Sequence, residues 1–150
     1  MTNPAYPQRL QEIVDDFNSA SREEKLELLL DYSDRLPPLP ERLQGDRGGM
    51  EQVHECATPL FMHAERDDGM RFFFDIPPES PTVRGYAGLL RDGVDGAPPE
   101  AILQIPEDLA DRLGLGVVLT PQRLNGVYYL LARMKRSAAH HLLDQPPHAA

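Results

Sequence analysis

The pattern of apolar positions predicts two helices at the start of the chain. The first is expected over residues 8–18, where the apolar residues fall on one helix face at i, i+3, i+4 and i+7: Leu10, Ile13, Val14 and Phe17. Residues 21–24 (SREE) have the form of a capping box, which starts a second helix. We expect this helix to reach about Asp34, with Leu26, Leu29 and Leu30 on its buried side.

The middle of the chain has shorter apolar runs, which are typical of strands. Residues 36–40 (LPPLP) end the helical part, because proline lacks an amide donor and disfavours helix at the residue before it. Strands are predicted near residues 50–54, 58–66 and 70–76, the last two joined by an Asp-Asp-Gly turn. Three consecutive phenylalanines, at 72–74, suggest that the last strand is covered on both faces, or at one end.

The C-terminal half is again helical. Helices are predicted over residues 82–93, after Pro98-Pro99, and from Pro106. The last helix begins with Thr120 as N-cap and Pro121 in its first turn, and its apolar face is expected to contain Leu124, Val127, Tyr128 and Leu131. We therefore predict an α+β domain over residues 1–139 and a disordered tail over 140–150. Its two N-terminal helices precede a small three-stranded antiparallel sheet, and the C-terminal helices pack on one face.

Charge and cysteine content narrow the function. The 150 residues carry a formal net charge of -9, which disfavours nucleic acid and anionic membrane surfaces as partners. The N-terminal residues MTNPAYPQRLQEIV do not resemble a signal peptide, and no apolar run approaches the roughly 20 residues of a membrane span. The single cysteine can form no internal disulfide. We therefore expect a soluble protein of the reducing cytoplasm.

Cys56 is the residue in this sequence that most readily carries chemistry. A lone cysteine is more often a small buried apolar residue than a reactive one. Here it lies between two predicted strands and has polar neighbours in His54, Glu55 and Thr58. This setting favours an accessible thiol, whose reactivity depends on its thiolate fraction and its exposure.

Several segments around this cysteine carry a family resemblance. They are residues 21–25 (SREEK), 36–40 (LPPLP), 53–61 (VHECATPLF), 82–90 (TVRGYAGLL) and 119–126 (LTPQRLNG). Each motif alone is weak, but in this order they resemble the SufE family of cysteine desulfuration proteins, which includes the related CsdE proteins. The resemblance covers about residues 8–138.

This resemblance implies a SufE/IscU-like fold and a role in sulfur transfer. Cys56 would take persulfide sulfur from a SufS- or CsdA-like cysteine desulfurase, whose cofactor is pyridoxal phosphate, and would thereby stimulate that enzyme. The sulfur would then pass to a SufBCD-like scaffold for iron–sulfur cluster assembly. The chain itself would need no cofactor and would be a transfer partner more than a self-sufficient enzyme.

The resemblance also suggests supporting residues. Arg123 matches the arginine of the family's TPxR motif, and Glu79 stands where the family tends to have an acidic residue near the active-site loop. His54 is a candidate for proton transfer, although each of these three side chains is also compatible with a plain surface role. Glu55 replaces a common glycine, and a carboxylate beside the thiol disfavours its thiolate form. Phe61 replaces a tryptophan, which is a milder change.

Two other functions stay open from the residues alone. A thiol redox protein usually needs a resolving cysteine or a thiolate that nearby cations stabilise, and the absence of a second cysteine and the adjacent Glu55 count against this role for Cys56. A non-catalytic interaction module would use Cys56 only for packing. A metal site is less favoured, because Cys56, His54 and His63 match no known zinc spacing and an iron–sulfur scaffold needs about three cysteines.

Overall fold

The computed structural model of the protein describes residues 6–45, 50–53 and 59–143. Helix α1 (Gln8–Asn18) buries all four residues of the predicted apolar face. Helix α2 (Arg22–Arg35) begins with the predicted capping box. The Glu24 amide donates to the Ser21 hydroxyl at 3.2 Å, and the Ser21 amide donates to the Glu24 carboxylate at 2.8 Å. Both helices are therefore confirmed.

The predicted buried side of α2 is wrong at two of its three leucines. Leu29 is fully buried, but Leu26 and Leu30 are each 38% exposed. Helix α2 instead packs through Leu29, Tyr32 and Ser33. Leucines cluster on this helix, so the leucine pattern alone does not identify the stripe that faces its neighbour.

The sheet has three antiparallel strands, as predicted, and their order is β1-β2-β3. The strands are β1 (Glu51–Gln52), β2 (Phe61–Arg66) and β3 (Met70–Asp75), and they are somewhat shorter than expected. Met62 lies opposite both Glu51 and Phe74. In the turn between β2 and β3, the Gly69 amide donates to the Asp67 carboxylate at 3.2 Å. This bond explains why the Asp-Asp-Gly sequence forms the predicted turn.

The two faces of β3 differ in what covers them. Phe72 and Phe74 are buried in the core with the helices, whereas Phe73 points to the other face and is partly exposed. There the guanidinium groups of Arg42 and Arg91 lie 5.5 and 5.9 Å from the Phe73 ring centre. The face of the sheet that carries Phe73 is thus covered partly by cations. The helices pack on the face that carries Phe72 and Phe74, as predicted.

The C-terminal half forms α3 (Pro81–Val94), α4 (Pro99–Leu103), α5 (Leu109–Arg112) and α6 (Pro121–Leu143). Helix α3 is central and contacts α1, α2, α6 and β3. Helix α5 begins at Leu109 and not at Pro106, whose carbonyl only accepts a turn bond from the Leu109 amide at 3.1 Å.

Helix α6 differs from its prediction in two respects. It continues to Leu143, so residues 140–143 of the predicted disordered tail are helical. Val127 and Leu131 are buried, as predicted, but Tyr128 is 48% exposed, and the buried face includes Leu130, which was not predicted. Within the described ranges, no helix is both long enough and apolar enough to cross a membrane.

Candidate functional site

The predicted residues Cys56 and His54 fall within 54–58, which lie outside the described residues. The Val53 amide donates to the Leu60 carbonyl at 2.9 Å, and both side chains are buried. The chain therefore leaves β1 and enters β2 at a closed, hydrogen-bonded pair of strand ends.

Two contacts fix the direction of α6 along the sheet. Arg133 pairs with Glu51 of β1, and the Arg66 guanidinium, at the far end of β2, donates to the His141 carbonyl at 3.2 Å. Helix α6 and β2 therefore run in the same direction. As a result, α6 begins at the same end of the sheet as Val53 and Leu60.

Arg123 lies in the first turn of α6, and its side chain is exposed. Its Nη1 donates to the Thr82 hydroxyl at 3.2 Å, and Thr82 belongs to the first turn of α3. The Arg123 amide donates to the Thr120 hydroxyl at 3.3 Å, which confirms Thr120 as the N-cap. The first turns of α3 and α6 thus meet, and their amide dipole ends add to the guanidinium charge. This part of the surface favours an anion.

Glu79 lies in the connection from β3 to α3 and is exposed. Within the part of the chain that the structure describes, it forms no hydrogen bond or ion pair. Arg123 likewise forms no ion pair there, so its charge is balanced by neither Glu79 nor any other described carboxylate. Glu79 and Arg123 stand at the same end of the molecule without touching.

Arg84 is a residue of this region whose role sequence reasoning missed. Its Nη1 donates to the Ile76 carbonyl at 2.9 Å, and its Nη2 donates to the Ser33 carbonyl at 3.0 Å. Its Nε also donates to the Ser33 hydroxyl at 3.3 Å. Arg84 therefore ties the end of β3 to α2 and fixes where the Glu79 connection starts. The sequence signal for Arg84 was its position as a basic residue among the apolar residues of the TVRGYAGLL motif.

A cleft of about 520 Å³ adjoins Arg84. One wall is the proline-rich segment and the other is the end of β3; its lining includes Leu36, Pro37, Leu39, Phe74 and Ile76. The described residues contain no group of three His, Cys, Asp or Glu side chains that could hold a metal ion.

Comparison with known proteins agrees with this arrangement. The family model described as "SufE: Fe-S metabolism associated domain" matches residues 11–138. An uncharacterized SufE-like protein of Mycobacterium tuberculosis is 43% identical over 139 residues, which cover 91% of this chain and 96% of that protein.

Two further comparisons extend this result. The cysteine desulfuration protein SufE of Plasmodium vivax is 28% identical over 104 residues, covering 67% of this chain and 40% of that protein. The solution structure of a hypothetical protein from Thermus thermophilus superposes with a TM-score of 0.81 at 36% identity, covering 93% of this chain and 99% of that one. From the extent of the family match and the close mycobacterial relative, we conclude that this chain belongs to the SufE family.

Proposed function

We propose that this protein accepts persulfide sulfur on Cys56 from a cysteine desulfurase and delivers it for iron–sulfur cluster assembly. Membership of a family described by its association with Fe-S metabolism supports the proposal. The Plasmodium vivax relative is named for cysteine desulfuration, which points to the same chemistry. Cys56 is the only thiol in the 150-residue sequence, so sulfur carried as a protein persulfide has one possible attachment point.

The observation that carries the proposal is the frame around residues 54–58. The bonded strand ends at Val53 and Leu60 give the segment fixed points of attachment. The first turns of α3 and α6, with the guanidinium of Arg123, stand at the same end of the sheet. A cation and two helix N-termini at the same end of the sheet as these attachment points suit a reaction that passes through thiolate and persulfide anions.

The proposed step is a thiol–disulfide-type exchange. The Cys56 thiolate attacks the terminal sulfur of the desulfurase persulfide, and a new S–S bond forms on Cys56. The S–S bond of the desulfurase breaks, and its cysteine leaves as a thiolate. The sulfur atom keeps its oxidation state, so the step needs no oxidant or reductant. Removal of this sulfur frees the desulfurase for another turnover, which is why its rate would rise.

The supporting residues have distinct proposed roles. Arg123 stabilises the anionic sulfur during transfer, His54 exchanges protons with the thiol, and Glu79 contacts the partner or the cysteine-bearing segment. In this scheme the chain needs no cofactor, because the pyridoxal phosphate belongs to the desulfurase. We also propose that the protein works in the reducing cytoplasm, where a lone thiol stays available.

The test is to mix the protein with the desulfurase of its source organism and cysteine labelled with radioactive sulfur. We expect label on the wild-type protein that a thiol reductant removes, and none on Cys56→Ser. A folded wild-type protein that takes up no label would contradict the proposal. Equal stimulation of the desulfurase by Cys56→Ser would favour an interaction module, and rapid consumption of hydrogen peroxide would favour a redox protein.

A further inference from the structure

Helix α6 has a charge unlike that of the rest of the protein. The chain carries 24 acidic and 15 basic residues, yet α6 contains no aspartate or glutamate over its 23 residues. Its basic residues are Arg123, Arg133, Lys135 and Arg136. Arg133 and Lys135 pair with Glu51 and Glu107, so Arg123 and Arg136 are the cations of α6 with no ion pair to a described residue. A carboxylate-bearing partner surface would complement them.

Five of the exposed residues of α6 form one stripe. They recur at spacings of three and four, which place them on a single helix face. This outer face of α6 consists of Gln122, Asn125, Tyr129, Ala132 and Arg136, all of which are exposed. Tyr129, at its centre, is 45% exposed. Arg136 forms no ion pair with any described residue, so its charge is available to a partner.

Tyr129 lies level with the entrance to the cysteine-bearing segment. It is four residues before Arg133, which pairs with Glu51 of β1. Four helical residues span about 6 Å. Val53 is two strand residues beyond Glu51 in the same direction, a span of about 6.6 Å. Tyr129 therefore lies at about the same level along the sheet as Val53, the last described residue before the cysteine-bearing segment.

The neighbouring Tyr128 faces a different side of the helix. Burial raises the pKa of Tyr86 on α3, and the Asp111 carboxylate and the Tyr128 phenol raise it further. Tyr128 is thus on the side of α6 that faces α3 and α5. Successive helical residues differ in direction by about 100°, so two tyrosines of nearly equal exposure point to separate surfaces.

We infer that the outer face of α6 is a docking surface for the desulfurase. On that partner it contacts a patch in which carboxylates surround an apolar recess for the Tyr129 ring. The inference rests on the proposed function and names the surface that the transfer uses. Tyrosine and arginine are over-represented among the residues that dominate binding energy at interfaces. A cation without an intramolecular ion pair also has no such pair to break when it binds a partner.

The two tyrosines allow a matched test. We would compare Tyr129→Ala with Tyr128→Ala by calorimetric titration into the desulfurase and by the acceptor concentration that half-saturates its stimulation. We expect Tyr129→Ala to weaken binding about tenfold and Tyr128→Ala to change it less than about twofold. The stimulated rate at saturation should be unchanged, because docking and chemistry are separate. Tyr129→Phe should retain binding.

Charge reversal at Arg136 tests the acidic character of the partner patch. We expect Arg136→Glu to weaken binding roughly tenfold at about 0.05 M salt and by much less at about 0.5 M, where charges are screened. A loss that does not depend on salt would overturn the charge argument. Self-association of the wild type that Arg136→Glu abolishes would assign the face to a second copy of this chain, and would also overturn the inference.

The controls separate this inference from the proposed function. Each variant should have the wild-type unfolding midpoint and the wild-type rate of Cys56 alkylation by iodoacetamide. A slower alkylation in Tyr129→Ala would mean that the ring positions the cysteine segment, contrary to a docking role. If the wild type takes up no radioactive label, the proposed function fails. If the wild type takes up label, but Tyr129→Ala and Tyr128→Ala bind the desulfurase equally well, only the docking surface fails.

Discussion

The contact between α2 and α3 gives a quantitative prediction at Gly85. A Cβ added there would lie 2.2 Å from the Leu29 carbonyl oxygen on α2, whereas ordinary contact begins at 3.4 Å. The atom in the way belongs to backbone, which no change of rotamer can move. In Gly85→Ala the two helices must therefore separate by about 1 Å, the difference between these two distances.

Two effects of opposite sign determine the stability of Gly85→Ala. Alanine is favoured over glycine inside a helix by about 1 kcal/mol. Overpacking of a close contact costs about 1–3 kcal/mol, and a backbone obstruction belongs at the upper end of that range. Separation of the helices also lengthens the hydrogen bonds from Arg84 to Ser33. We expect a net loss of about 2 kcal/mol in the free energy of unfolding, or about 4–8 °C in Tm.

The assay is urea unfolding followed by circular dichroism, with Gly116→Ala as the control. A Cβ on Gly116 meets no atom within 4 Å, so that variant should stay within about 0.5 kcal/mol of the wild type. A lower midpoint with an unchanged m-value would support the reasoning. If Gly85→Ala is as stable as the wild type or more so, the close backbone approach of α2 and α3 is wrong.

Three further predictions test separate contacts. Ser21→Ala removes the capping box of α2 and should lower the free energy of unfolding by about 1 kcal/mol; an unchanged urea midpoint would contradict that cap. Arg84→Met leaves the carbonyls that Arg84 contacts on α2 and β3 without their donor, and should cost about 1–3 kcal/mol in a thermal melt, with partial recovery in Arg84→Lys. The hydrogen bond from Arg42 holds the pKa of Glu65 below its ordinary value of 4.5. The ionised Glu65 carboxylate therefore stabilises the fold at neutral pH. This contribution is lost as the pH falls through the lowered pKa. The stability difference between wild type and Glu65→Gln, from urea midpoints at several pH values, should therefore be largest near neutrality and shrink in acid; a constant difference would refute the linkage.

The fold was largely predictable from local signals. The α1 face, the α2 capping box, the hairpin turn after β2 and the Thr120 cap each depend on residues close together in sequence. Errors arose where distant elements decide the outcome. The exposed side of α2 depends on where α3 approaches, and that approach is set by Gly85 and Gly88, which admit the α2 backbone.

The site was predictable to a lesser degree. The family resemblance offers Arg123 and Glu79 as candidates, and both lie at the end of the sheet where the Cys56 segment attaches. Cys56 and His54 stay predictions, because they lie outside the described residues. The sequence pattern assigned Tyr128 to the buried face, whereas it and Tyr129 are both exposed and lie on different sides of α6.

The sequence by itself determined the family, the order of helices and strands, and the presence of a single thiol, at Cys56. These follow from short-range capping, turn and periodicity rules and from motifs that need no coordinates. The tertiary structure alone decided that Arg84 ties β3 to α2, that Arg123 meets Thr82, and that Arg133 of α6 pairs with Glu51 of β1. Such contacts join residues far apart in the chain, and they depend on how closely whole helices and strands approach one another.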